Sequence, residues 1–475
     1  MASSNAAKIT RSSLWLMASY ALAKGSRLIT QIFLARLLSP EDFGLWGMVL
    51  VITTLSELFR DTAIASVLVQ RGLEDKDLVN AVYSLGINVS IIMFLIQTGV
   101  GFLIAPFFNE PMVGPLTACT GLVFLVGAGA GSHTAVLTRQ MQFRALAIAD
   151  SSAGFARLVG AAVGAFLGAG VWSFAIAEVT RGVADASIKR RLSQYRFTYS
   201  LRPDPKVIQQ VWRYISSLIG TNIAVYVNTN GDDLITGKVL GAKTLGYYTL
   251  AYQLAMVPTF ALSQVNRINF SVLSQRDNQG KKLYVAQVLE LYAILYALIY
   301  GLGFLISPWM IPFIYGSQWQ AAVPLFQIIL VFAYTRGFMS IFGTTLNSLN
   351  KPDVNAAINW ILVPLSIPAF LVGIWLDGVQ GLAIAVALVM GIGAAAWFWI
   401  ATCHVAQWDL KTLMQPILLP SLSIGLILAV LQFMAMNLVL QILVMVVTYG
   451  AALSLFSMGE IPQKLLNLGR RTLKT

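Results

Sequence analysis

Apolar runs of about 20 residues, separated by short polar turns, recur through most of the chain. Each is long enough to cross a bilayer as a helix. None shows the apolar/polar alternation of a barrel strand, and lipid admits only helices and closed barrels. The pattern therefore predicts an all-α polytopic membrane protein. Helices are expected near 14–36, 43–69, 80–107, 112–137, 147–169, 171–188, 207–233, 245–273, 285–307, 321–346, 354–376, 380–402, 416–436 and 438–457, about fourteen in all. The stretch after Lys8 and Arg11 runs too long for a signal peptide and lacks a small-residue cleavage site, so the first helix is expected to stay.

Composition agrees: 57% of the 475 residues are hydrophobic and 11% charged, against about 25% charged in a soluble domain. Most of the 32 Lys and Arg fall in tails and loops on the N-terminal side of the predicted membrane. That bias puts both termini in the cytoplasm. The net charge of +12 is then topology plus attraction to anionic lipid, and needs no nucleic acid. Cys119 and Cys403 lie in apolar runs and read as buried thiols, while His133 and His404 are too isolated to form a metal cluster. No nucleophile elbow, zinc motif or catalytic carboxylate pair is present, so the chain is read as neither an enzyme nor a metalloprotein. Gly160, Gly164 and Gly168 have the spacing of a close helix–helix contact. The Gly-rich run 127–131 marks a flexible or tightly packed place in the fourth helix.

An internal repeat divides the chain. Residues 35–46 (ARLLSPEDFGLW) align without gaps on 237–248 (GKVLGAKTLGYY), matching Arg36 with Lys238, Leu38 with Leu240 and Gly44 with Gly246. Six predicted helices separate the copies, so both run the same way through the membrane as parallel repeats. The basic stretch from Lys189 to Lys206, broken by Arg202-Pro203-Asp204-Pro205, reads as the linker. Expected domains are 1–206 (six helices and linker), 207–412 (six more) and 413–475 (two extra helices and a basic tail).

Charge inside the predicted helices is uneven, and costly charges at membrane depth are expected to face water or a partner. On the first helix Tyr20, Lys24, Arg27 and Gln31 fall on one face, with Lys24 about 15 Å from its start. On the second, Glu57 and Arg60 share a stripe with Asp61 at its edge. The repeat register carries the first stripe onto Tyr226, Thr229 and Asp233, joined by Asn222, and the eighth helix adds Tyr252 and Arg267. Glu178, Arg181 and Asp185 have the spacing for Arg181 to bridge both acids. Intramembrane acids and bases balance in number, so a cationic cavity rests on the depth of Lys24, Arg27, Arg60 and Arg157. Glu57 and Asp61, deep and beside bases, are candidates for coupling to H⁺ or Na⁺; no other cofactor is expected. Arg336, near the middle of the tenth helix, reads equally well as structural or functional.

FLARLLSPEDFGLWGM (33–48), DTAIASVLVQR (61–71) and GKVLGAKTLGYYTLAYQLAMVP (237–258) resemble the polysaccharide transporter family, the Wzx-type lipid-linked oligosaccharide flippases of the multidrug/oligosaccharidyl-lipid/polysaccharide exporter superfamily. Trp46 and Asp61-Thr62-Ala63 depart from its usual pattern. The resemblance implies two six-helix lobes around a central cavity, with two additional helices, in a bacterial inner membrane. It implies alternating-access translocation of polyprenyl-diphosphate oligosaccharides for O-antigen or exopolysaccharide assembly, with a polysaccharide polymerase as a candidate partner. The positions that fit its cationic cavity residues are Lys24, Arg27, Arg60 and Arg267, for the diphosphate. Tyr20, Gln31, Asn222, Tyr226, Thr229 and Tyr252 are then expected toward the sugars. The alternative within the superfamily is a cation-coupled multidrug exporter, whose cavity would use Glu57 or Asp61.

Overall fold

A computed structural model describes residues 25–60, 68–69, 72–201, 205–434 and 436–456, and among these no strand occurs. Helix α1 covers 25–37. It is followed by α2 (Pro40–Arg60), α3 (Lys76–Phe108), α4 (Val113–Val126), α5 (Ala130–Arg139), α6 (Phe143–Phe166) and α7 (Trp172–Ser193). Then come α8 (Pro205–Ala255), α9 (Val257–Ser274), α10 (Asn278–Tyr315), α11 (Ala322–Ser348) and α12 (Pro352–Ala385). A π-helical segment, Val386–Gly393, joins α12 to α13 (Ala394–Ala406), and α14 (Leu410–Gln432) and α15 (Leu438–Phe456) complete the run. Among the described residues six helices are long and apolar enough to cross a membrane, or seven with α4 and α5 counted as one bent span. The chain is a multi-pass α-helical membrane protein.

The helix breaks have local causes. Ser39 and Asp42 form a reciprocal cap at the start of α2: Ser39 N–H donates to Asp42 Oδ2 at 3.0 Å, and Asp42 N–H to Ser39 Oγ at 3.2 Å. Pro40 fits the first helical position, where no N–H is needed. Asp75 caps α3 by accepting from the N–H groups of Asp77 and Leu78, both at 3.0 Å. The Gly-rich run becomes a 46° bend between α4 and α5, with Gly129 at φ 78°. Asp377 and Gly378 interrupt α12 where two helices were expected to meet, and Gly241 (φ 80°) interrupts α8 at the second repeat's turn.

Packing divides the molecule into two compact units: the described residues through Thr249 with Ile314–Gln318, and Leu250–Phe313 with those from Trp319 onward. In the first unit, Gln318 Nε2 donates to the carbonyls of Ala35 (2.8 Å) and Leu38 (3.1 Å), satisfying acceptors left over at the end of α1. The two repeat turns meet here. A Cβ on Gly44 would run into the Ala242 carbonyl, and a Cβ on Gly246 into that of Pro40. Since Gly246 and Ala242 are the register equivalents of Gly44 and Pro40, the two contacts interchange under the repeat. Parallel repeats bring equivalent turns to one end in this way; inverted ones put them on opposite faces.

Beside this turn, burial first and Glu41 second hold the Glu110 carboxyl above its ordinary range. An acid titrating higher folded than unfolded costs stability only where it is charged. Glu110→Gln is therefore expected to raise Tm slightly at neutral pH and to leave it unchanged below pH 4. A Tm series from pH 4 to 8 checks both halves.

In the second unit Tyr292, Tyr296, Tyr300 and Tyr334 cluster between α10 and α11, with every hydroxyl partnered, for example Tyr292 to the Tyr334 carbonyl at 2.9 Å. The two charge-poor helices α14 and α15 pack on α10: Ile424 lies over Gly301, and Tyr449 donates to the Ile294 carbonyl at 3.1 Å.

Candidate functional site

The polar interior of the first unit is built on α6 and α7. One turn beyond Arg157, Gly160 lies against Thr180; a turn further, Gly164 lies 2.8 Å from the Ser173 Cα, measured from an added Cβ. These glycines let the helices touch closely enough for Arg157 to reach across. Gly168 plays no part in that contact: it has open space around it and adopts φ 72° beyond the helix end. Arg157 Nη2 reaches Glu178 Oε1 at 2.8 Å, and Arg181 Nε reaches Glu178 Oε2 at 2.7 Å. One carboxylate thus sits between two guanidiniums, and the trio carries one positive charge in excess. All three side chains are at most a quarter exposed. Arg157 Nε has no hydrogen-bond partner.

A second trio lies toward the basic linker. Lys189 Nζ contacts Asp185 Oδ1 at 2.7 Å and Asp150 Oδ1 at 3.4 Å, leaving one negative charge in excess. Arg181 therefore does not bridge Glu178 and Asp185 as its spacing suggested. Lys189 stands one turn from Asp185 and takes it, while Arg157 supplies Glu178 with its second partner. From Arg181 to Lys189 is roughly 12 Å along α7, so charge is graded along the interior, positive deep and negative toward the linker.

Both trios border cavities. The larger, of about 490 Å³, is lined by Arg27, Arg157, Arg181, Asp150, Asp185 and Lys189 together with the glycines of the α4–α5 bend. The smaller, of about 270 Å³, has Arg27, Arg157 and Arg181 in common with it and adds Glu57, Glu178, Gln97, Thr53 and Thr120. Gln97 is fully buried; its amide N–H groups donate to Thr117 O (3.0 Å) and Thr120 Oγ1 (3.1 Å), and its Oε1 is unpartnered. Arg27 is exposed and forms no ion pair with any described residue. Three arginines are thus common to two adjoining polar spaces.

Arg27 and Glu57 both line the smaller cavity, and Arg27 the larger as well. Gln31 is buried on α1. Tyr226 is buried, its hydroxyl donating to the Val51 carbonyl of α2, and Thr229 Oγ1 bonds back to the Val225 carbonyl at 2.8 Å. Tyr252, in the second unit, is half-buried with its ring 5.8 Å from Phe332. Tyr20, Lys24 and Asp61 lie outside the described residues, as do the side chains of Arg60, Asn222 and Arg267. Arg181 and Gln97 were not expected as lining residues. Arg181 was assigned to a structural pair, and Gln97 was one amide in an apolar helix with nothing at helical spacing to mark it.

His133 Nδ1 lies 2.6 Å from Ser193 Oγ, and Phe197 stacks on Tyr83. The first part of the linker thus docks on α3, where Thr198 N–H donates to Asn80 Oδ1 at 2.9 Å and Tyr199 OH to Asn88 Oδ1 at 2.7 Å. Cys119 and Cys403 are free thiols, and no His, Cys, Asp and Glu grouping among the described residues suits a metal ion.

A family model described as polysaccharide biosynthesis protein matches residues 33–324. The chain is 25% identical over 398 residues to the lipopolysaccharide biosynthesis protein WzxC of Escherichia coli (strain K12), covering 81% of this chain and 79% of that one. It is 24% identical to the succinoglycan biosynthesis transport protein ExoT of Rhizobium meliloti (strain 1021), over 75% of this chain and 72% of the other. Among solved structures the lipid II flippase MurJ in an inward closed conformation superposes with a TM-score of 0.72 at 15% identity, over 94% and 99% of the two chains. An inward-facing multidrug resistance MATE family transporter superposes at 0.62 and 14%, over 82% and 95%. The fold is that of these transporters.

Proposed function

We propose, because this chain belongs to the polysaccharide biosynthesis protein family, that it translocates lipid-linked oligosaccharide units across the membrane, in the transport step of polysaccharide assembly. Relatives named for lipopolysaccharide biosynthesis and succinoglycan transport support this reading. The observation that carries it is the sharing of Arg27, Arg157 and Arg181 by two polar cavities inside one helical unit. A diphosphate cannot cross hydrocarbon alone, and charge-assisted hydrogen bonds from guanidinium are the strongest contacts a protein offers it. The cycle makes and breaks no covalent bond; it moves a polyprenyl-diphosphate oligosaccharide from the cytoplasmic to the outer face of a bacterial inner membrane.

In this proposal fourteen helices form two six-helix lobes and an extra pair, with both termini cytoplasmic, and rocking of the lobes gives alternating access. Lys24, Arg60 and Arg267 join the three arginines around the diphosphate, and a polymerase takes up the delivered unit. Glu57, in the smaller cavity, couples the cycle to H⁺ or Na⁺ together with Asp61. The same Glu57 supports the second reading, a cation-coupled drug exporter.

The test is Arg27→Gln/Arg157→Gln in a strain lacking this gene. Polymer export is expected to fall below a hundredth of wild type, while the protein still accumulates in the membrane. Full export by the double variant would exclude the diphosphate assignment. Drug resistance conferred by the wild-type chain, abolished by Glu57→Gln, would favour the second reading.

A further inference from the structure

The second unit holds a polar feature that the translocation reading leaves unused. Arg336 lies at the middle of α11, half-buried, and makes no hydrogen bond, ion pair or ring contact with any described residue. A guanidinium at that depth without a partner is costly, and such positions are kept for a ligand or a relay. One turn along its helix a buried polar network ends. Tyr284 OH donates to Asn269 Oδ1 at 2.8 Å, Asn269 Nδ2 to Asn266 Oδ1 at 3.1 Å, and Asn266 Nδ2 to Ser340 Oγ at 2.6 Å. Asn266 and Asn269 are 8% and 3% exposed, so this is a buried, connected chain rather than a wet surface. It ends on Ser340, one helical turn after Arg336 and on the same face. Ser340 accepts from Asn266 and donates to no described residue.

We infer that Arg336 and Ser340 form an anion-and-hydroxyl site for an acidic sugar of the translocated oligosaccharide, the guanidinium taking the carboxylate and the serine hydroxyl a ring oxygen or hydroxyl beside it. This rests on the translocation reading. The chemistry favours a carboxylate over the diphosphate for two reasons. Among the described side chains Arg336 is the one base in the middle of a second-unit helix, while Arg276, Lys281, Lys282, Lys351 and Lys411 stand at or beyond helix ends. The hydrogen-bonded residues that end on Ser340, one turn away, are neutral amides and hydroxyls. One fixed positive charge among neutral donors suits a singly charged, hydroxyl-bearing group. A diphosphate calls for the several converging arginines found in the first unit. The planar fork of arginine also accepts a carboxylate through two parallel hydrogen bonds.

The test uses the full-length protein in detergent and follows thermal unfolding with three probes: tetragalacturonate, neutral maltotetraose and inorganic pyrophosphate. Tetragalacturonate is expected to stabilise the wild type more than maltotetraose does. Arg336→Gln should raise its apparent Kd at least tenfold, and Arg336→Lys should recover part of the loss. Pyrophosphate binding should be unchanged in Arg336→Gln and lost in Arg27→Gln/Arg157→Gln. Without ligand, Arg336→Gln should unfold no earlier than wild type, since it removes a charge that has no partner among the described residues; earlier unfolding marks a structural arginine and overturns the inference. So does an equal tetragalacturonate response in wild type and Arg336→Gln, or none in either. Loss of the pyrophosphate response in Arg336→Gln would move the residue to the diphosphate and likewise overturn it. An unchanged pyrophosphate response in Arg27→Gln/Arg157→Gln would instead count against the diphosphate assignment in the first unit and leave the acidic-sugar site standing.

Discussion

Glu178→Gln is expected to be the most destabilising single exchange in the first unit, costing roughly 3–5 kcal/mol, the range for breaking a buried ion pair from one side. The side chains of Arg157 and Arg181 are 14% and 24% exposed, and both lean on this carboxylate at 2.8 Å and 2.7 Å. A glutamine keeps the shape but leaves two partly desolvated guanidiniums facing one another. The reverse exchange is milder. Arg157→Gln leaves Glu178 paired with Arg181, and Arg181→Gln leaves it paired with Arg157. The ranking of melting temperatures should therefore be wild type, then either arginine variant, then Glu178→Gln well below. Adding Arg157→Gln to Glu178→Gln should recover part of the loss, since the pair is coupled and its effects are not additive. Millimolar pyrophosphate should raise the melting temperature of Glu178→Gln by more than that of wild type, because the added anion replaces the missing carboxylate. A Glu178→Gln protein as stable as wild type would mean that the two arginines do not depend on this acid.

The parts of this architecture legible in the sequence are those fixed by local rules. The break expected between helices near 36 and 43 is present, closed by a cap between Ser39 and Asp42. Gly44 and Gly246 were matched by register, and each is pressed against the other repeat's turn. Arg27 and Glu57 were placed on polar stripes, and they line cavities. What the sequence left open were ties that only tertiary packing breaks. Arg181 had an acid on either side at helical spacing, and the choice fell to Lys189 and to Arg157 from a neighbouring helix. Tyr226 sat on a polar face, yet its hydroxyl meets the Val51 carbonyl of α2, a partner 175 positions away. The chain Tyr284–Asn269–Asn266–Ser340 joins three helices. Asn266 and Asn269 share one helix at i,i+3 spacing, but nothing in the sequence ties them to Tyr284 and Ser340 on the two helices that follow.

Gly246→Val is expected to cut transport to a tenth of wild type or less, with the protein still inserted. A Cβ at this position would overlap the Pro40 carbonyl and lie 3.1 Å from the Gly44 nitrogen, and neither neighbour is a side chain able to turn aside. Overpacking in a core usually costs about 1–3 kcal/mol when side chains can repack, and here only backbone can give. The relief available is separation of the two turns, which shifts the population away from the closed contact rather than unfolding either helix. Gly44→Val should act alike, through the Ala242 carbonyl. Both substitutions break one closed contact, so the double variant should be little worse than either single, whereas independent sites would add. Gly425→Val is the control, a helical glycine with open space around it, and should transport as wild type. A cysteine placed at Lys243, beside the contact and exposed, reports the separation directly. In a background with Cys119 and Cys403 replaced by serine, it should react faster with a water-soluble maleimide when Gly246 is valine. Wild-type transport and unchanged labelling in Gly246→Val would show that the clasp between the two turns is not a closed state the protein must pass through.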